Sequence, residues 1–168
     1  MNKPVMNIDD AQYLDLAEMS RQFGSEMPAE RFGGRIAHLG RALGARKLGF
    51  NVTVIAPGKR AFPFHSHRAN EEMFFILEGS GELRFGDRTY PLRRGDVVAC
   101  PTGGPEVAHQ IVNTGRQELK FLAVSTALSP DICHYPDADK FGVLDGFGPG
   151  GFQFMGRSRD GLDYWEGE

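Results

Sequence analysis

From residue 46 onward, short runs rich in β-branched and aromatic residues alternate with turn residues. Such runs, bounded by glycine, proline, asparagine and aspartate, are typical of strands. Seven of them predict strands at 47–56, 72–79, 81–85, 88–92, 96–100, 108–113 and 118–128. The stretches between them are too short to hold the crossover helices of a parallel sheet. The pattern therefore favours an all-β sandwich or barrel.

Two of the connections carry turn signals. Gly86-Asp87 fits a two-residue hairpin turn, and the sequence NTG at 113–115 fits a slightly longer hairpin. We therefore expect antiparallel pairing on both sides of each turn.

The two ends of the chain follow other patterns. Residues 9–23 have a partial apolar face at helical spacing, with Asp9 or Asp10 as the cap, and residues 37–43 fit a short helical turn. The glycine-rich tail carries large aromatic residues that would be costly to leave in water: Phe147, Phe152, Phe154, Tyr164 and Trp165. We expect an N-terminal extension at 1–45, a barrel at 46–126, and an irregular extension at 127–168 that packs on the barrel or on a partner.

Composition narrows the class of protein. The chain has 168 residues, 40% of them hydrophobic, and a formal charge of −3. This charge gives no reason to expect nucleic acid or an anionic membrane as a partner. Two cysteines are too few for a disulfide framework, and neither a signal peptide nor a membrane-spanning run is apparent. We expect a cytoplasmic protein.

Candidate chemistry begins with the sequence HSHRANEE at 65–72. Within a strand, side chains two apart point to the same face, so His65 and His67 project together. Two imidazoles on one face can bind the same metal ion. A third histidine, His109, begins another predicted strand just after a turn-rich stretch. The alternation of side chains along a strand places Glu71 and Glu72 on opposite faces, but it does not decide which of them points inward.

Two stretches resemble the two motifs of the cupin family. GKRAFPFHSHRANEEMFFILEG at 58–79 resembles the first motif, and its six-residue gap before Gly79 selects Glu72 over Glu71. GDVVACPTGGPEVAHQIVN at 95–113 resembles the second motif, which includes His109 and Asn113. The gaps before His65 and His109 are longer than usual, and both insertions fall in loops. The tail, with HYPDADKFGV and DYWEGE, is similar to small bacterial single-domain cupins of uncharacterised function.

The resemblance implies a double-stranded β-helix (jelly-roll barrel) that holds one divalent metal. Its implied ligands are His65, His67, Glu72 and His109. Three imidazoles and one carboxylate suit Zn, Mn, Fe(II), Co or Ni. Such a site would leave two open positions on an octahedral ion. It could stabilise an enediolate, or bind dioxygen if the metal is iron. We expect metal binding to weaken below about pH 6, because imidazoles must be neutral to ligate.

Other residues are candidates for the wall of the pocket. Phe74 and Ile76 share a face with Glu72, and Val98 and Cys100 lie on a neighbouring strand. Arg84 would pair with an anionic substrate if it faced inward. The remaining histidines, His38 and His134, lie outside the motifs and are expected to be surface or packing residues.

Two main functions remain open. The first is an enzyme that isomerises or oxygenates a small oxygen-rich molecule at the metal. The alternative is a non-catalytic small-molecule or carbohydrate sensor. A metal-free barrel is a third reading. We also expect a homodimer, because Met73, Phe75 and Leu77 make the second face of the strand at 72–79 apolar.

Overall fold

The computed structural model describes residues 3–22, 24–146 and 150–168 of the protein. Phe23 and Phe147, which the sequence assigns to the first helix and to the aromatic tail, lie outside the described residues. No helix among the described residues is long and apolar enough to cross a membrane.

Antiparallel sheets dominate the fold. The described residues form thirteen strands: β1 Leu14–Asp15, β2 Gly34–Ala37, β3 Leu48–Ile55, β4 Ser66–His67, β5 Glu72–Glu78, β6 Ser80–Phe85, β7 Arg88–Arg93, β8 Val97–Cys100, β9 His109–Val112, β10 Leu119–Thr126, β11 Asp131–Tyr135, β12 Lys140–Asp145 and β13 Phe152–Gly156. All seven predicted strands are present, with ends shifted by at most two residues.

The strands build a jelly-roll barrel, as predicted. One sheet has the order β1-β2-β3-β10-β5-β8. Two smaller sheets, β7-β6-β9 and β13-β12-β11-β4, are linked by an isolated bridge between His65 and His109. The main core includes Ile55, Ile76 and Leu119, which are fully buried.

One of the two predicted hairpins is correct. Phe85 pairs with Arg88 around the two-residue turn Gly86-Asp87. Gly86 has a φ of 54°, which favours glycine, and a Cβ there would come within 2.5 Å of the Glu106 carbonyl oxygen. The hairpin predicted at 113–115 is wrong, because β9 pairs with β6 whereas β10 pairs with β3 and β5. The turn instead carries the chain between sheets, and the buried Asn113 side chain holds it by donating to the Ile55 and Gln117 carbonyl oxygens.

The N-terminal helix is shorter than the sequence predicts. Helix α1 spans Leu16–Gln22 rather than 9–23, and a 3-10 turn occupies Ile8–Asp10. The Asp15 carboxylate accepts hydrogen bonds from the amides of Ala17 and Glu18 at 2.9 and 3.0 Å, so Asp15 caps the helix. The backbone of Asp15 itself pairs with β2, as does that of Leu14, and this pairing keeps both residues extended. The predicted short turn is confirmed as α2, Leu39–Leu43.

The C-terminal extension has more regular structure than its glycine content indicates. Strands β11, β12 and β13 form an antiparallel meander, and β11 continues the barrel by pairing with β4. The Met155 side chain lies over Gly142 of β12, where a Cβ would come within 2.8 Å of its sulfur and would require that side chain to move. Large rings of the aromatic tail are exposed on this single chain at Phe152, Phe154, Tyr164 and Trp165. Packing of the tail on the barrel or on a partner stays a prediction.

Candidate metal centre

Four side chains from three strands meet inside one end of the barrel. His67 ends β4, Glu72 begins β5 and His109 begins β9. His65 lies just before β4 and exchanges two backbone hydrogen bonds with His109. The His65 amide donates to the His109 carbonyl oxygen at 3.1 Å, and the His109 amide donates to the His65 carbonyl oxygen at 2.7 Å. Their backbone pairing therefore fixes the spacing of the two imidazoles, whose ring centroids lie 4.8 Å apart.

The three imidazoles converge on one carboxylate oxygen. Glu72 Oε2 lies 2.8 Å from His109 Nε2, 3.5 Å from His67 Nε2 and 3.9 Å from His65 Nε2. His109 is buried, whereas the side chains of His65, His67 and Glu72 keep 16–18% of their surface exposed. The cluster is thus enclosed but still reached by solvent from one side.

The opposite ring nitrogens each have a partner. Nδ1 of His65 lies 2.8 Å from the Pro63 carbonyl oxygen, and Nδ1 of His67 lies 2.6 Å from Asp131 Oδ2. Nδ1 of His109 is 3.3 Å from the Val107 carbonyl oxygen. A hydrogen bond at Nδ1 orients an imidazole and makes Nε2 the atom available to a metal.

Charge and burial strongly perturb the cluster. Burial, reinforced by the neighbouring His109 and His67, lowers the pKa of His65 to about 4. Burial opposes ionisation of Glu72, but the hydrogen bond with His109 and the nearby His67 imidazole outweigh it and hold the pKa of that carboxyl well below its usual range. Burial likewise opposes a charge on His67, yet contacts with Cys133 and Glu72 raise its pKa. The carboxylate is therefore ionised and faces imidazole nitrogens on several sides.

These residues fit a divalent metal. Nε2 of His67 is buried and has no hydrogen-bond partner among the described residues. Ligand atoms of His65, His67 and Glu72 all lie within 4.8 Å of one another. Three imidazoles and a carboxylate form a donor set typical of Zn, Mn, Fe, Co or Ni sites, without the thiolates of a structural zinc site.

Comparison with known proteins agrees with this geometry. Residues 51–125, which span all four side chains of the cluster, match the family model described as Cupin domain. The chain contains a cupin domain. This confirms the family and the double-stranded β-helix expected from the two motifs.

Several proteins resemble the chain. A crystal structure described as a sugar phosphate isomerase from a cupin superfamily, from Silicibacter pomeroyi, superposes with a TM-score of 0.77 at 25% identity and covers 94% of each chain. A glucose-6-phosphate isomerase of Pyrococcus horikoshii is 36% identical over an alignment of 92 residues, and this alignment covers 48% of this chain and 47% of that protein. An oxalate-binding protein of Thermotoga maritima is 40% identical over 60 residues, 36% of this chain and 47% of the relative. The match thus spans just under half the length of these two relatives.

The residues predicted to line the pocket of the cupin barrel fall into two groups. Four of them are buried in the core on the inward faces of β5 and β8: Phe74, Ile76, Val98 and Cys100. The Phe74 ring lies 5.7 Å from that of His109, centroid to centroid. Burial, with the Glu72 charge nearby, raises the pKa of the Cys100 thiol to about 12, so the thiol stays protonated at neutral pH.

Arg84 lies elsewhere. Its guanidinium makes a bidentate ion pair with Asp137, at 2.6 and 2.8 Å, and lies over the Phe64 ring. Its neighbours Leu83 and Phe85 pack in or against the core, so strand alternation turns Arg84 away from the interior. Arg84 therefore points away from the interior, and its charge is already paired with Asp137.

The other polar candidates lie outside the cluster. Glu71 is exposed, which leaves Glu72 as the inward member of the pair. His38 is exposed at the start of α2, and His134 accepts a hydrogen bond from Arg68 at 3.3 Å. His38 is therefore a surface residue, whereas His134 is half-buried outside the cluster.

Sequence reasoning missed three residues of β11 that surround the cluster. Asp131, Cys133 and Tyr135 alternate along the strand, and Cys133 Sγ lies 3.3 Å from His67 Nδ1. The Tyr135 ring stacks on His65, with the centroids 6.1 Å apart. The alternation in DICHY was the available signal, but it lies beyond the second motif, in a segment expected to be irregular.

A cavity of about 610 Å³ lies beside the cluster. Its wall includes Pro63 and Tyr135, which both contact His65, and apolar side chains from the N-terminal extension such as Met19 and Met27. Arg31 and Lys140 add positive charge to this wall, and Glu26 and Asp137 add negative charge. The volume suits a small-molecule ligand.

Proposed function

We propose that this cupin binds one divalent metal through His65, His67, Glu72 and His109 and acts as an enzyme on a small oxygen-rich molecule. The convergence of three Nε2 atoms on Glu72 Oε2, with every Nδ1 already engaged, carries the proposal. Such a set presents one carboxylate and three preoriented imidazoles to the same point.

When bound, the metal would supply a Lewis acid that polarises a carbonyl oxygen of the substrate. The chain's own residues hold and enclose this point. Phe74 and Cys100 form an apolar wall next to the ligands and limit the access of water. A dry wall strengthens electrostatic interactions with the substrate.

Isomerisation of a small anionic sugar derivative is the reaction we favour. In the adjoining cavity the Asp137 carboxylate is already paired with Arg84, so Arg31 and Lys140, beside the acidic Glu26, can contact a phosphate or carboxylate group on the substrate. Relatives described as a sugar phosphate isomerase and a glucose-6-phosphate isomerase support this substrate class.

A second candidate is a non-catalytic binding protein for a small carboxylate. The relative described as an oxalate-binding protein supports it. A metal held by the four side chains of the cluster would need only a chelating ligand to complete its coordination.

Metal analysis followed by isotope exchange tests the proposal. Protein purified without added metal is assayed for metal content, loaded with Mn²⁺, Zn²⁺, Fe²⁺, Co²⁺ or Ni²⁺, and incubated with sugar phosphates in D₂O. Isomerisation through an enediolate introduces deuterium at carbon, which proton NMR detects. The Glu72→Gln variant should lose both metal and exchange.

The outcomes separate the candidates. Exchange that depends on the metal supports the isomerase. Metal binding with tight oxalate binding but no turnover favours the binding protein. A wild-type chain that takes up none of these metals contradicts both functions.

A further inference from the structure

Strand β11 supplies a carboxylate to the cluster from outside the segment that matches the cupin family. The family match ends at residue 125, whereas Asp131 begins β11. Asp131 is only 5% exposed, and its Oδ2 lies 2.6 Å from Nδ1 of His67. This is a short distance for an N–H···O bond, which indicates a charge-assisted contact.

The carboxylate of Asp131 is itself held in place. The Ala69 amide donates to Oδ1 at 2.9 Å, and Nδ2 of Asn70 donates to Oδ2 at 2.8 Å. These two hydrogen bonds set the orientation of the carboxylate, so Asp131 presents a fixed acceptor to His67.

Asn70 extends this network across the barrel. Its Oδ1 accepts hydrogen bonds from the Leu128 amide at 2.7 Å and the Thr126 hydroxyl at 2.9 Å, while Nδ2 also reaches the Leu128 carbonyl oxygen. The loop that follows His67 is thus fastened to the segment that leads into β11. The position of Asp131 relative to His67 is set by both chain segments.

We propose that Asp131 is a positioning residue of the metal centre, which keeps the His67 proton on Nδ1 and directs Nε2 to the metal. This inference rests on the proposed metal site and adds a residue to it. Cys133 Sγ also lies near Nδ1, but at 3.3 Å it is 0.7 Å farther than Asp131 Oδ2, and it is a weaker acceptor.

The Asp131→Asn substitution tests this role with little change in shape. In one orientation, the NH₂ group of the new amide faces the N–H of Ala69. In the other orientation, it faces Nδ2 of Asn70 and Nδ1 of His67. In the second orientation, His67 Nδ1 must accept, so its proton moves to Nε2 and blocks the lone pair that would bind the metal. We expect the Kd for Zn²⁺, measured by competition with a chromophoric chelator, to rise by about 10- to 100-fold.

Asp137→Asn is the matched control. It removes the same charge from the turn that follows β11, where Asp137 pairs with Arg84 away from the cluster. Its Zn²⁺ affinity should equal that of the wild type. A purely structural role for Asp131 would lower the melting temperature but leave the Kd of the folded variant unchanged, and that result would overturn the proposal.

Nitrogen-15 NMR of the zinc-loaded wild type gives an independent measurement if Asp131→Asn does not fold. The His67 ring should carry its proton on Nδ1, with Nε2 shifted by the metal. The reverse assignment contradicts the positioning role even if zinc binds. If the wild type binds no zinc, the proposed metal site itself is wrong. Failure of the metal site is therefore distinguishable from failure of the positioning role.

Discussion

At the scale of single residues, Glu71 and Glu72 differ only in the direction that the strand gives them. Glu72 points inward and contacts His109, whereas Glu71 is exposed and uses its amide to donate to the Thr126 hydroxyl at 3.1 Å. The side-chain period of two in a strand separates these adjacent carboxylates. Their substitution should therefore have opposite consequences for metal binding.

Glu72→Gln and His65→Ala should lose the metal, and Glu71→Gln should keep it. Removing a ligand is expected to weaken binding by more than the roughly 10- to 100-fold that loss of an outer partner costs. Metal content after dialysis, determined by mass spectrometry for the three variants, checks this. Equal content in the two glutamine variants would show that Glu72 is not a ligand.

The sequence located the four side chains of the cluster but not their supports. HxH spacing, parity and the motif gaps depend on nearby residues and can be read from one segment. Asp131 reaches His67 across 64 residues, and no local pattern links the two positions. The pairing of Arg84 with Asp137, which comes from a distant turn, is likewise not indicated by any local pattern.

At the scale of elements, the seven strands of the barrel were predictable because each is a short run rich in β-branched and aromatic residues between turn residues. Strand β4 has only two residues, and β12 is interrupted by Gly142, so neither has a strand pattern of its own. These strands form through pairing with their neighbours. Tertiary context, rather than intrinsic preference, determines such segments.

The Arg84–Asp137 pair ties the turn after β11 to β6, and its contribution should depend on pH. The hydrogen bond from Arg84 holds the pKa of Asp137 below its usual value. A lowered folded-state pKa stabilises the protein above the unfolded pKa of about 3.9, and this stability is lost as pH falls through the folded value. For a half-exposed pair the effect is about 0.5–1 kcal/mol at neutral pH.

Urea unfolding between pH 3 and pH 7 measures this effect. Wild type should be more stable than Asp137→Asn at pH 7, and the difference should shrink toward pH 3. Asp10→Asn, which removes an exposed carboxylate near the N-terminus, is the control and should change stability little at any pH. A constant difference across the range would rule out an electrostatic contribution.

At the scale of the whole molecule, the outer face of the six-stranded sheet is only partly covered. The N-terminal residues Ile8, Ala11 and Tyr13 pack, like Leu77, against the small buried cluster that includes Leu39 and Val52. Met73 and Phe75 are half-buried, and Val97, which pairs with Phe75, is 66% exposed. The N-terminus thus covers one part of this face and leaves an apolar patch at the β5–β8 edge.

We predict that a second copy covers this patch and that the protein is a homodimer. Light scattering at micromolar concentration should give twice 18.6 kDa, the mass of one chain. Val97→Glu should shift the protein toward monomer, since it places a charge in an apolar interface. Tyr90→Glu, at an exposed site on β7, should leave the mass unchanged. A wild-type mass near that of one chain would contradict the dimer.

The hydrogen bond between His67 and Asp131 can form only after both residues have been synthesised. A nascent chain leaves the ribosome from its N-terminus, so the three histidines and Glu72 emerge before β11 does. Until then His67 lacks its carboxylate partner, and any metal held by the growing chain would exchange readily. Under the proposed metal role, the choice among competing ions is therefore made only after β11 has emerged and has paired with β4.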